Sequence, residues 1–213
     1  MPVMHCARPI ASKMSAVRLQ RERDHRKMQW RNGTGSTLEI AAVPTSDAWD
    51  WRLSMAEVST DGAFSLLPGV DRALLVASGT GMILRINEQD HTIRHRDVFR
   101  FDGASDTACS LLDGPVRDLN FMVRRDAHIG QPSLELISLV AGSTIAFGEA
   151  LGLVVLEGIV TLTTFGDSFP FAPLVEHAKR FDAVLADGPA LQRTACVVRR
   201  DAVVVVASLR RDV

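Results

Sequence analysis

The chain nearly repeats itself, and that narrows its fold more than any other feature. Residues 113–127 read D-G-P-V-R-D-L-N-F-M-V-R-R-D-A and residues 187–202 read D-G-P-A-L-Q-R-T-A-C-V-V-R-R-D-A, so a turn and a strand-like ending recur at offsets of 74 and 75. Leu74–Gly79 (L-L-V-A-S-G) matches residues 153–158 (L-V-V-L-E-G) at an offset of 79, and Arg100-Phe101-Asp102 matches Arg180-Phe181-Asp182 at 80. The blocks keep their order while the offset drifts, as changing loop lengths would make it, which predicts a duplicated unit of roughly 75–80 residues. Aligning the V-R-R-D-A ends sets Asp118 and Asn120 opposite Arg193 and Ala195. The first copy therefore carries a polar pair that the second lacks, and a site is expected there.

With 213 residues, 46% of them hydrophobic and 23% charged, the chain has ample material for a core, and all-β chains of this length commonly form one domain. The formal net charge of -1 hides an asymmetry. Residues 1–31 hold eight Lys or Arg against Glu22 and Asp24, which leaves 16 basic against 23 acidic side chains elsewhere. Such a body offers no field for nucleic acid. Cys6, Cys109 and Cys196 are an odd number at wide spacing, so no disulfide framework is expected, and the last two sit in apolar runs as core thiols. No stretch approaches the roughly 18 apolar residues of a membrane helix, and the N-terminus has no secretory apolar run, so a cytoplasmic location is the default expectation. Residues 1–13 show no pattern and are expected to be a disordered extension with Met14 as the initiator; an organellar presequence is the competing reading.

The body reads as strands. Asp50–Val58 alternates with period two, Trp51, Leu53 and Met55 on one face and Arg52, Ser54 and Ala56 on the other. Residues 118–124 alternate likewise, setting Asp118, Asn120 and Met122 opposite Leu119, Phe121 and Val123. Leu151–Leu156, Ile159–Thr164 and Ala202–Leu209 are the clearest strands of the second half. Asn32-Gly33 is turn chemistry leading into Leu38–Val43, and Asp61-Gly62 and Pro68-Gly69 are further turns. Residues 90–96, 144–152 and 173–179 are expected to be loops or short turns. Helix content should be low. The expected architecture is a fused double barrel over 14–213, with a first barrel at about 28–127 and a second at about 128–213, strand exchange between them being allowed.

Four ordered motifs carry a resemblance to a known family: W-R-N-G-T-G-S-T at 30–37, D-W-R-L-S-M-A at 50–56, D-G-A-F-S-L-L-P-G-V-D-R at 61–72 and D-L-N-F-M-V-R-R at 118–125. They resemble the HutD/Ves family, whose members are metal-free double cupins of the RmlC-like type. The resemblance runs from about residue 14 to the end, mainly as pattern in the second half. It implies an all-β fold of two cupin-type jelly-roll barrels and a regulatory or accessory role in bacterial histidine degradation. It also implies a small acid of that pathway as ligand, urocanate or a formylglutamate-like compound, with no cofactor. No established reaction comes with it.

The residues themselves agree with a binder. Cupin metal sites use an H-x-H pair, a Glu and a later His, and no H-x-H occurs here; His91 and His95 fall in the expected loop. The phosphate-loop pattern and G-x-S-x-G are also absent. An arginine fork matches a carboxylate, and neutral hydrogen-bonding side chains fix its orientation, so Arg52, Ser54, Arg72, Asn120, Asp118 and Trp30 are the candidate ligand-binding set. The bland alternatives are a strand-capping ion pair for Arg72, a salt bridge from Arg52 to Asp118, and core packing for Trp30 and Met122. A metal-independent isomerase or lyase using Asp118 for proton transfer, with Arg52 or Arg72 stabilising charge, is the second functional class left open. A homodimer is among the assemblies allowed.

Overall fold

Alternation along two central strands organises the molecule. The computed structural model describes residues 17–30, 35–46, 48–145, 150–164, 174–186, 194–198 and 200–210. The proposed extension at 1–13, the Asn32-Gly33 turn, the turn at 187–189 and Arg193 lie outside them.

The strands of the first half are β1 (Val17–Gln20), β2 (Arg26–Gln29), β3 (Gly35–Val43), β4 (Trp51–Val58), β5 (Gly62–Ala63), β6 (Val70–Ser78), β7 (Gly81–Ile86), β8 (Gln89–Arg94), β9 (Val98–Asp102), β10 (Thr107–Leu111) and β11 (Val116–Arg124). Then follow β12 (Gln131–Leu139), β13 (Thr144–Ile145), β14 (Ala150–Glu157), β15 (Val160–Thr164), β16 (Leu174–Ala178), β17 (Ala183–Ala186), β18 (Thr194–Val198) and β19 (Ala202–Arg210). Helix is confined, among the described residues, to short 3-10 turns at Glu22–Asp24 and Arg125–Ala127. Three expected loops are largely strand instead: 90–96 mostly forms β8, 144–152 holds β13 and the start of β14, and 173–179 holds β16. The polar residues of 90–96 suit a strand because β8 lies at the edge of the small sheet and exposes most of its side chains to water.

The first half builds a large sheet in the order β2-β3-β4-β11-β6-β9 and a small one in the order β5-β10-β7-β8. The second half repeats this with β12-β19-β14-β17 and β13-β18-β15-β16, every pairing being antiparallel. β1 pairs with β17 and so joins the second half's large sheet.

The two large sheets pack face to face. On β4 and β11 the residues Leu53, Met55, Leu119 and Phe121 are fully buried against Val154, Leu185, Val205 and Ala207 of the other half. Each large side chain buried here contributes about 1.5–3 kcal/mol. Trp51 meets Phe121 edge to face at 6.0 Å. The opposite faces turn into the barrels. Leu74, Val76, Met82, Leu84 and Ile93 fill the first, while Leu153, Val155, Val160 and Val204 fill the second.

This topology revises the sequence alignment of the halves. Gly79 and Gly158 are equivalent, both turning with positive φ (91° and 80°) after equivalent strands, so the 74–79 match is in true register. Val123–Ala127, by contrast, ends β11, whereas Val198 ends β18 and Ala202 starts β19. Those segments are not equivalent, and the V-R-R-D-A match does not mark the repeat. The R-F-D match also slips. Arg96 and Phe181 occupy the same left-handed position, donating backbone hydrogen bonds to Val76 at 2.8 Å and Val155 at 2.6 Å. Asp97, rather than Asp102, is thus the counterpart of Asp182.

Candidate functional site

Strand pairing assembles the site from three sequence-distant segments. β11 lies between β4 and β6, and its Met122 is paired with Arg52 on one side and Arg72 on the other. Two residues earlier Asn120 is flanked by Ser54 and Leu74, and before that Asp118 by Ala56 and Val76. Because side chains alternate, all of these project to the barrel interior while Leu53, Ala73, Leu75 and Phe121 project to the central core.

Arg72 is only 6% exposed. Its guanidinium lies over the rings of Phe101, its neighbour on β9, at 4.7 Å and Phe64 at 5.1 Å, and donates to Asn120 Oδ1 at 2.7 Å. Asn120 Nδ2 donates in turn to Asp118 Oδ1. The amide thus separates the cation from the acid. Arg72 Nε and Asp118 Oδ2 are both buried without a hydrogen-bond partner among the described residues. Burial pulls the Arg72 pKa down to about 10, opposed by Asp118 and reinforced by Arg52, so the group stays charged at neutral pH. Burial likewise pushes Asp118 up to about 7, against the pull of Arg72.

In front of this relay is a cavity of about 480 Å³. Arg72, Arg52, Ser54, Asn120 and Trp30 all line it, so the structure brings together five of the six expected residues. Asp118 does not reach the wall; it supports Asn120 from behind. Met122 joins the wall as well. Thr37, Thr60, Phe64, Ser65 and Cys109 were not anticipated. Phe64 and Ser65 belong to the same motif as Arg72 and were legible in that sense. Cys109 is a buried thiol as expected, but its place on the cavity wall follows from β10 pairing with β7. Its pKa is raised to about 11, chiefly by burial.

Arg52 does not bridge to Asp118. Glu39 Oε2 stands 3.0 Å from Arg52 Nε, at ion-pair distance though not aligned for a hydrogen bond, and Glu39 also pairs with Arg26 at 2.9 Å. Two cations share one carboxylate. Trp30 donates from Nε1 to Thr37 Oγ1 at 2.9 Å and rests against Gly35, where any Cβ would lie 2.8 Å from its ring. No Asp or Glu is among the described residues lining the cavity.

Among the described residues the second barrel offers no equivalent. In register, Asp118 and Asn120 correspond to Val204 and Val206, and a bulge in β14 brings Ala150 to the place of Arg72. Among the described residues no group of three or more His, Cys, Asp or Glu gathers to hold a metal ion, and no helix is long and apolar enough to cross a membrane.

Among curated proteins, the chain is 38% identical over 112 residues to an uncharacterized 21.2 kDa protein in the hutC 3′ region of Pseudomonas putida, covering 51% of this chain and 59% of that one. It is 40% identical over 109 residues to protein Ves of Citrobacter koseri, covering 48% and 57%. The matches thus span little more than half the length of these relatives. Among solved structures, a conserved protein of unknown function from Pseudomonas aeruginosa superposes with a TM-score of 0.77 at 29% identity, covering 92% of this chain and 100% of that chain. The expected all-β cupin jelly roll is the fold adopted. The HutD family model matches residues 22–205, nearly the whole of the barrel-forming chain, and the protein belongs to the HutD family.

Proposed function

We propose that this protein binds a small carboxylate metabolite in its first barrel and acts as a regulatory or accessory protein of bacterial histidine utilisation. The observation that carries the reading is Arg72. A charged guanidinium is buried at the cavity wall, the Asn120 amide stands between it and Asp118, and its Nε has no hydrogen-bond partner among the described residues. A buried cation in that state gains from an incoming carboxylate what it lost in hydration. Ser54 and Asn120 supply neutral groups to orient the ligand, and Arg52 adds positive potential. Membership of the HutD family and the relative located beside hutC support the pathway. Urocanate and formylglutamate-like acids are the candidate ligands.

The enzyme alternative is weaker here. Asp118 has a pKa suited to proton transfer, but Asn120 stands between it and the cavity.

A thermal-shift screen with histidine, urocanate, formylglutamate, formiminoglutamate and glutamate tests the reading. A true ligand at one hundred times its Kd stabilises the fold by about 2.7 kcal/mol, or roughly 5–11 °C in Tm. Turnover of any of these compounds would favour the enzyme instead, and a screen without a single saturable shift would remove the support for a pathway acid.

A further inference from the structure

Asp118 is fully buried; among the described residues its carboxylate accepts a hydrogen bond from Asn120 at Oδ1 and has no partner at Oδ2. The strands on either side set Ala56 and Val76 beside it, neither of whose side chains can donate. The charged group that acts on it is Arg72 of β6, beyond the Asn120 amide; the titratable group facing it from β10 is the Cys109 thiol, neutral because burial raises its pKa. No Lys, Arg or His nitrogen stands at ion-pair distance from it among the described residues. One cation, Arg72, therefore serves both the cavity in front and the acid behind.

Resting on the reading that Arg72 receives a carboxylate, we propose that anion binding in this cavity is coupled to the uptake of one proton by Asp118. An anion seated on Arg72 cancels the attraction that favours ionised Asp118 and adds a like charge nearby; both effects favour the neutral acid. The bound complex then gains one anion and one proton, taken from solvent onto Asp118, and its charge is unchanged relative to the free protein with ionised Asp118. Since Asp118 already titrates at about 7 in the free protein, binding raises that value further. Above it, affinity falls by up to about tenfold per pH unit until the pKa of the bound state is passed; below it, the acid is already protonated and affinity is flat. The protein thus responds to the product of anion and proton, and binds more tightly as its surroundings acidify.

Formate, which stays ionised throughout, is the probe. Its Kd is measured by calorimetry from about pH 5.5 to about pH 8.5 for the parent, Arg72→Ala and Asp118→Asn, and the parent's heat of binding is compared in two buffers of different ionisation enthalpy. The expected results are a flat affinity at low pH that weakens above about pH 7, proton uptake approaching one per formate there, and a pH-independent affinity in Asp118→Asn. A flat parent profile without buffer-dependent heat overturns the coupling while leaving the carboxylate reading intact, and so does an unchanged pH slope in Asp118→Asn. Should that variant not fold, the buffer comparison decides alone. Absence of saturable binding at every pH, or binding unaffected by Arg72→Ala, overturns both.

Discussion

Arg72 donates a 2.7 Å hydrogen bond to Asn120, and the pair divides a buried cation from the buried acid behind it. The arrangement leaves a charged donor facing the cavity instead of spending it on a direct salt bridge.

Arg72→Ala should weaken binding of a pathway acid by about ten- to one-hundred-fold, the worth of a charge-assisted hydrogen bond. Arg72→Lys should recover only part of this, because an ammonium cannot reproduce the fork or its stacking on Phe64 and Phe101. Equal affinity in the lysine variant and the parent would show that only charge matters.

Asp118→Asn should stabilise the free protein at alkaline pH. Burial raises the folded pKa from 3.8 to about 7, so as pH rises through that window the unfolded chain releases a proton that the native state retains. Stability is lost over the window and the loss is constant above it. Asparagine mimics the neutral acid, so the variant should gain about 2–4 kcal/mol over the parent at pH 8 and progressively less towards pH 4 in urea titrations. A gain that does not change with pH would contradict the assignment of a raised pKa.

Val206→Ala replaces the second-barrel counterpart of Asn120 and should leave ligand affinity unchanged, at a stability cost of about 0.5–1.5 kcal/mol for a half-buried side chain. Loss of binding in this variant with full binding in Asn120→Ala would move the site to the other barrel.

Gly35→Ala should disturb the cavity rim. A Cβ there would lie 2.5 Å from the Glu57 carbonyl oxygen and 2.8 Å from the Trp30 ring, so Trp30 must shift from the wall. A destabilisation of about 1–3 kcal/mol is expected, with a changed Trp fluorescence spectrum. An unaltered spectrum would argue against the packing of Trp30 on this glycine.

Much of the candidate site was legible because its motifs are local. Alternation placed Arg52 and Ser54 on one face of β4 and Asp118 and Asn120 on one face of β11, and the motif ending at Arg72 supplied the third strand. Other features had no local signature. Glu39 as the partner of Arg52 depends on β3 lying beside β4, and Cys109 at the wall depends on how the small sheet closes over the large one. The repeat misled in detail for a related reason: V-R-R-D-A is short and polar, so its second occurrence, from the end of β18 to the start of β19, carries no information about register, whereas Gly79 and Gly158 answer to a backbone requirement.

Period two and the turn glycines thus dictated strands, their faces and an all-β fold, since these follow from steric rules acting over a few residues. Which face became the cavity wall, which acid stayed unpaired and whether Asp118 holds a proton were decided only when two sheets closed around them. Burial and the distance between charges are properties of the closed barrel, and no stretch of sequence contains them.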